Sequence, residues 1–167
     1  MTFGPILIAQ NTPADALVLL RAFKSLGIAN SARILTDGNQ AIQYLNGEGN
    51  YSDREAHPRP ALLFLDLRMP IPGIEVLLWQ QAQGPEMQVP TIVVTDSLNV
   101  AEIRAAYGAG ATSFLMKPIT DEDLKNVLTW ARGVALHATE SGVFIGPDRQ
   151  HMRRESIPVF RPEPVLP

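Results

Sequence analysis

A doubly wound parallel sheet, layered α/β/α, is the fold this chain predicts, and three observations carry that reading. Short apolar runs alternate with amphipathic segments five times across residues 6–135. Strict alternation of this kind builds a parallel sheet with helices on both faces, joined by right-handed crossovers. Residues 61–65 are apolar throughout, the pattern of a strand buried on both faces. That run ends on Asp66, with Met69-Pro70 just beyond. An acid is thereby placed at the carboxyl edge of the sheet, where open α/β folds hold their chemistry.

Each element follows from its own residues. Ile6-Leu7-Ile8-Ala9 is a short first strand. Pro13 suits the first turn of a helix, Leu17, Leu20, Phe23 and Leu26 recur on one helical face, and Gly27 ends it. Ala32-Arg33-Ile34-Leu35 is the second strand, and Asp37-Gly38 opens a helix through Ala41, Ile42 and Leu45. Residues 46–60 are polar, with two glycines and two prolines, and read as a long helix end plus loop before the third strand at 61–65. Pro70 stops that strand, and a third helix runs from about Ile74 to Ala82. Pro90 introduces a fourth strand, Thr91-Ile92-Val93-Val94-Thr95, and a fourth helix covers about residues 100–107 before Gly108 and Gly110. Residues 111–116 are the fifth strand. Thr120 caps the last helix, whose first turn holds Asp121, Glu122 and Asp123. Its expected buried face is Leu124, Val127, Leu128, Ala131, Val134 and Ala135.

Composition removes several classes of function. The chain has 167 residues, 46% of them hydrophobic and 19% charged, with a formal net charge of -3. These values describe a globular domain and carry no basic footprint for nucleic acid. No cysteine is present, which excludes disulfides, thiolate metal sites and cysteine nucleophiles. No apolar stretch is long enough to span a bilayer and no signal peptide is evident, so the expected location is the cytoplasm. No glycine-rich loop follows the first strand, which disfavours a dinucleotide or P-loop site.

Residues 138–167 differ from the rest, with five prolines and four arginines balanced by four acids. They read either as a solvated tail or as an arm that packs on its own domain or a partner. The apolar patches Val143-Phe144-Ile145 and Ile157-Pro158-Val159-Phe160 are the contact points of such an arm. The expected division is a domain at 1–137 and a Pro-rich tail or arm at 138–167.

In a doubly wound sheet the ends of strands 1, 3, 4 and 5 converge. Here they carry Gln10-Asn11, Asp66, Thr95-Asp96 and Lys117-Pro118. A carboxylate, a hydroxyl and an ammonium at one edge suit a phosphoryl group. Asp66 is the candidate nucleophile, Thr95 a donor to a phosphoryl oxygen, and Lys117 a counter-charge. A flavodoxin-like or hydrolase-like enzyme is disfavoured, because no histidine lies near a strand end.

At these residues the chain resembles the receiver domain of bacterial response regulators, over about residues 5–137. The resemblance rests on Asp37-Gly38, Asp66 with Met69-Pro70 and Gly73, Thr95, Gly108-Ala109-Gly110-Ala111, and Lys117-Pro118. A narrower resemblance is to the small stand-alone receivers that serve cyanobacterial phytochromes and related photoreceptor kinases. It rests on Ala22-Phe23-Lys24, again Asp37-Gly38, Tyr44-Leu45, Glu48-Gly49-Asn50-Tyr51, Arg54-Glu55, Pro58-Arg59-Pro60 and Ala106-Tyr107. The resemblance implies a five-stranded flavodoxin-like sheet of order 2-1-3-4-5. It implies Asp66 as phosphoacceptor, Thr95 as the switch hydroxyl, Lys117 as the pocket lysine, and Phe114 as the aromatic whose rotamer follows activation. It implies Mg²⁺ held by Asp66, Asn11 and the backbone carbonyl of Arg68, with Gln10 reaching the metal through water. The implied partners are a sensor histidine kinase of phytochrome type and a downstream protein the sequence does not name. A homodimer through the fourth helix, fifth strand and fifth helix is also implied, with Tyr107, Phe114 and Trp130 near that face.

The first strand departs from the family pattern. Two acids are expected at its end, where this chain has Gln10 and Asn11. Amide oxygens coordinate without bringing charge, and Mg²⁺ is usually held through one or two carboxylates. Weak Mg²⁺ binding and impaired phosphorylation of Asp66 follow. Asp96 stands where a small residue is expected, and either returns a carboxylate to the metal or repels the phosphoryl group. Arg68 leaves the loop beside Asp66 and either points to solvent or joins Lys117 in neutralising Asp66 or Asp96 without metal. The expected function is therefore a stand-alone receiver that acts through protein contact and is not an enzyme. Its alternative is a pseudo-receiver that binds partners independently of phosphate.

Overall fold

The structure is a computed structural model that describes residues 2–97 and 99–149. Five parallel strands form one sheet in the order β2-β1-β3-β4-β5, as the sequence predicts. They are β1 Ile6–Ala9, β2 Ala32–Leu35, β3 Leu62–Asp66, β4 Thr91–Thr95 and β5 Ser113–Met116. The helices between and after them are α1 Pro13–Ser25, α2 Gly38–Asn46, α3 Gly73–Gln83, α4 Val100–Gly108 and α5 Asp121–Trp130. The third and fourth strands are buried along their whole length, because helices cover both faces of a parallel sheet.

Side-chain alternation splits the interior in two. Ile6 and Ile8 of β1, Leu62 and Phe64 of β3, Ile92 and Val94 of β4 and Leu115 of β5 pack with residues of α1 and α5. Leu7, Ala9, Leu63, Leu65 and Val93 pack with residues of α2, α3 and α4. A strand's period of two assigns each position to one layer. That assignment later decides which side chains meet at the carboxyl edge.

Several caps expected from the sequence are in place. Pro13 opens α1 behind the N-cap Thr12, and Asp37 caps α2 through the Gln40 N–H. Thr120 caps α5 in a reciprocal pair with Asp123. The buried face of α1 is different from the expected one. Phe23 is buried and Leu20 and Leu26 pack at the core's margin as expected, but Ala16, Leu19 and Ala22 also face the sheet and Leu17 is 44% exposed. Residues 16–20 are all apolar, so periodicity cannot choose a face there, and the two alanines permit the closer approach to the sheet.

The larger correction concerns the end of α5. The sequence extends its apolar face through Val134 and Ala135, but the helix stops at Trp130. Ala131 turns extended, and Gly133 sits at φ 78, a left-handed position open to glycine. The chain then forms an antiparallel hairpin, β6 Val134–Thr139 and β7 Gly142–Pro147. Ala131 and Val134 remain buried because the turn folds them onto the same core.

The hairpin spans the division expected after His137. Ile145 is fully buried among the α1 and α5 residues. Asn30 fastens it: the Asn30 side-chain amide accepts from the Ile145 N–H at 2.7 Å and donates to the Ile145 and Gly4 carbonyls. Val143 bridges Ile28, and Phe144 stacks on Phe3. The patch at Val143-Phe144-Ile145 thus packs on its own domain, while residues 157–160 lie outside the described residues. His57 packs against Tyr44 and Tyr51, and His137 against Phe3.

Candidate functional site

The register of the sheet assembles the site. Ala9 is level with Leu65, Asp66 with Val94, and Thr95 with Met116. Gln10, Asp66, Asp96 and Lys117 therefore stand together at the carboxyl edge. Alternation gives all four the parity of the residues facing α1 and α5. Asp66 is 4% exposed. Its Oδ1 accepts from the Arg68 backbone N–H at 2.9 Å, and its Oδ2 from Lys117 Nζ at 2.9 Å. The loop beyond Asp66 packs tightly: a Cβ on Gly73 would lie 2.3 Å from the Asp66 carbonyl oxygen. Only glycine lets α3 begin that close to the strand end, which is the physical content of the Asp66–Gly73 spacing.

Lys117 reaches Asp66 from the end of β5, where its N–H also donates to the Thr95 carbonyl at 2.8 Å. The Lys117–Pro118 peptide bond is cis. The same ammonium lies 2.9 Å from Asp15 Oδ2, on the first turn of α1. Asp15 is not among the residues the sequence points to, and it is the neighbour of Lys117 that the sequence reading misses. Its signal is an acid three positions after the Thr12 cap, in the first turn of α1. Burial alone would lower the Lys117 pKa, but hydrogen bonds and charge from Asp15 and Asp66 hold it above the ordinary value. The hydrogen bond from Lys117 lowers the Asp15 carboxyl below its ordinary value; partial burial opposes the shift and Thr12 assists it.

The residues expected to bind metal are split. Asn11 is exposed, whereas Gln10 is 2% exposed, and neither Gln10 Nε2 nor Gln10 Oε1 has a hydrogen-bond partner. A buried amide with both ends unpaired is costly unless a ligand or water meets it. Among the described residues no group of three acids or histidines is arranged to hold a metal. The candidate donors are the Asp66 carboxylate, the exposed Asn11 amide, the orphaned Gln10 amide and the Arg68 carbonyl. They fit a hard divalent cation in kind and fall short of the usual charge.

Thr95 is buried, and its Oγ1 accepts from the Ser97 N–H at 3.0 Å. Alternation puts Thr95 on the parity of Val93, and Phe114, which pairs with Val93, packs against that second layer. Phe114 meets Tyr107 edge-on at 6.1 Å. Arg68 pairs with Asp96 at 3.7 Å, both side chains about three-fifths exposed. Such a pair is worth little in stability, and it turns the Arg68 side chain to Asp96, while the Arg68 backbone N–H is what meets Asp66. A cavity of about 340 Å³ opens beside Lys117, lined also by Asp15, Asp96, Val18, Val94 and Ile119.

Known proteins resemble this chain over most of its length. A model of the response regulator receiver domain matches residues 6–129. The probable methanogenesis regulatory protein FilR2 of Methanothrix harundinacea is 34% identical over 125 residues, 74% of this chain and 77% of that protein. The response regulator Rcp1 of Synechocystis sp. is 29% identical over 130 residues, 77% of this chain and 84% of Rcp1. A crystal structure of Rcp1 in its Mn²⁺-bound form matches with TM-score 0.67 and 30% identity, covering 81% of this chain and 99% of that one. The bacteriophytochrome response regulator RtBRR matches with TM-score 0.74 and 25% identity, covering 91% and 88%. Among the described residues no helix is long and apolar enough to cross a membrane.

Proposed function

The chain belongs to the response regulator receiver domain family, and from that premise we propose that it accepts a phosphoryl group on Asp66 from a sensor histidine kinase and signals by contact with another protein. The observation that carries this reading is the contact of the buried Asp66 carboxylate with Lys117 at 2.9 Å. The similarity to Rcp1 and to a bacteriophytochrome response regulator favours a phytochrome-type kinase as the donor.

The chemistry follows from the contacts. An Asp66 oxygen attacks the phosphorus of a phosphohistidine. The O–P bond forms as the P–N bond breaks, and the electron pair returns to the imidazole nitrogen. The Arg68 N–H holds one carboxylate oxygen in place, and the Lys117 ammonium offsets charge gathering on the phosphoryl oxygens. Because the Thr95 oxygen already accepts from Ser97, its hydroxyl proton is left to donate to a phosphoryl oxygen. Movement of Thr95 toward that oxygen would vacate space on the layer where Phe114 lies, which couples the phosphoryl group to the α4–β5–α5 face.

Mg²⁺ is the cofactor of this reading, held weakly by Asp66, Asn11 and the Arg68 carbonyl, with Gln10 beside it. When bound, it supplies positive charge against the transferring phosphoryl. Each missing strand-1 carboxylate removes an attraction of about 4 kcal/mol per unit of cation charge, about 8 kcal/mol for a divalent ion, at about 4 Å and an effective dielectric of about 20, before hydration reduces it. A second reading is favoured by Gln10 and Asn11 themselves: a pseudo-receiver that binds its partner whatever the state of Asp66.

Acetyl phosphate with Mg²⁺ separates the two. The expected result is slow phosphoryl incorporation, seen by intact mass, that disappears in Asp66→Asn. The double variant Gln10→Glu, Asn11→Asp should accelerate it at least tenfold and bind Mg²⁺ more tightly. No incorporation in either protein would decide for the pseudo-receiver.

A further inference from the structure

Lys117 is shared equally between two carboxylates, at 2.9 Å from Asp66 and 2.9 Å from Asp15. An ammonium has three donors and no acceptor, so this arrangement commits two of them to acids on different elements. The Lys117 side chain is only 18% exposed, and in such surroundings a nearby charge counts for more than it would in water. Asp15 is held in position locally. Thr12 Oγ1 donates to Asp15 Oδ2 at 2.8 Å, and the Asp15 N–H donates back to Thr12 Oγ1. Pro13 presets the first turn of the helix between them. A short side chain on a pinned turn gives a carboxylate with little freedom to leave.

Strand β1 ends beside Asp66 without an acid, and the amide it places there, Gln10, is buried and unpaired. We propose that Asp15 is a positioning residue of the phosphoacceptor site, which supplies from helix α1 the negative charge that β1 lacks and holds Lys117 so that Asp66 keeps a net charge for an incoming cation. This rests on the reading of Asp66 as phosphoacceptor. With Asp15 in place the three groups carry one net negative charge. Without it, Lys117 and Asp66 form a neutral pair, and a divalent cation must displace the ammonium before it can bind. Asp15 also keeps Lys117 within reach when the phosphoryl group arrives, because the lysine need not give up both partners in order to turn.

The test is made on the full chain with Asp15→Asn, which keeps the size of the side chain. Mn²⁺ titration followed by electron paramagnetic resonance should show affinity reduced at least threefold. The NMR signal of the Lys117 ε-methylene should move in metal-free protein. Phosphorylation by acetyl phosphate should lose rate constant, with the KM for the donor little changed. Adding Gln10→Glu to Asp15→Asn should restore Mn²⁺ affinity by returning an acid to β1, a rescue that a merely structural role would not give. An unmoved Lys117 signal overturns the proposal, as does unchanged Mn²⁺ affinity or a wild-type protein that binds no Mn²⁺. Should Asp15→Asn fail to fold, Asp15→Glu is read in the same way, with a smaller loss expected because the longer acid can still reach Lys117. A wild-type protein that takes no phosphoryl group defeats the phosphoacceptor reading, while the metal and NMR measurements still decide on Asp15.

Discussion

Lys117 and its two acids make the site's contribution to stability depend on pH in a definite way. The Asp15 pKa is lowered in the folded protein, chiefly by the hydrogen bond from Lys117. Its contribution is therefore present above the unfolded carboxyl pKa and is lost as pH falls through the lowered value. The Lys117 pKa is raised: burial opposes the shift, and Asp15 and Asp66 outweigh it. Its contribution is present below the unfolded lysine pKa and is lost as pH rises through the raised one. The window runs from about pH 4 to about pH 10 on ordinary reference values. Urea denaturation of the wild type and Asp15→Asn should show a constant stability difference inside that window and a shrinking one at either end. A difference that persists unchanged in strong acid would mean that Asp15 acts through packing. Much of this site was legible as residue types. Asp66, Thr95 and Lys117 each end a strand, and strand ends converge by topology. Asp15 was legible as an acid beside a helix cap but not as a partner of Lys117, because the two lie 102 positions apart and the cap does not show which strand end its turn faces.

The hairpin is the element whose role was hardest to read. Five alternating strand–helix units announce themselves through runs such as residues 61–65, but β6 is hidden behind a coincidence of spacing. Ala131 and Val134 fall where a continued helix would also bury them, so only Gly133 signalled the break. We accordingly place the end of the domain beyond Pro147 instead of after His137. Ile145→Ala should cost about 2–5 kcal/mol, the range for removing most of a buried branched side chain. Asn30→Ala should be destabilising as well, because it strips the Ile145 N–H of its acceptor. Thermal melts of chains ending at Ala138 and at Arg149 give the larger comparison. The shorter one should melt well below the longer, because it lacks β7 and leaves core apolar surface open to water. Equal melting temperatures would return the boundary to the earlier position.

At the scale of the whole molecule the sheet has two unlike poles. The carboxyl edge holds Asp66, Lys117 and the adjoining cavity, while the amino edge holds Phe3, Asn30 and the hairpin. The α4–β5–α5 face runs between them and shows Tyr107 at 45% exposure and Trp130 at 83%. A tryptophan left that open beside Phe114 and Val127 is the side chain to test as an anchor for a second copy or a partner. Trp130→Ala should weaken self-association or partner binding by about 2 kcal/mol or more, read by sedimentation velocity, and leave the melting temperature nearly unchanged. Glu102 and Arg104 on α4 supply a milder test by charge reversal. The clasp at the amino edge also has a mechanical meaning. Phe3 precedes β1 and Phe144 sits in the last described strand, and their rings stack at 4.9 Å, so tension applied at the two ends of the domain is taken up there first. The hairpin would peel from its hydrogen bonds one after another, whereas the parallel strands would have to shear several at once. Because the chain contains no cysteine, handles introduced at Thr2 and Arg149 are unique, and an optical trap should record an early low-force rip of hairpin length followed by a separate high-force event for the sheet.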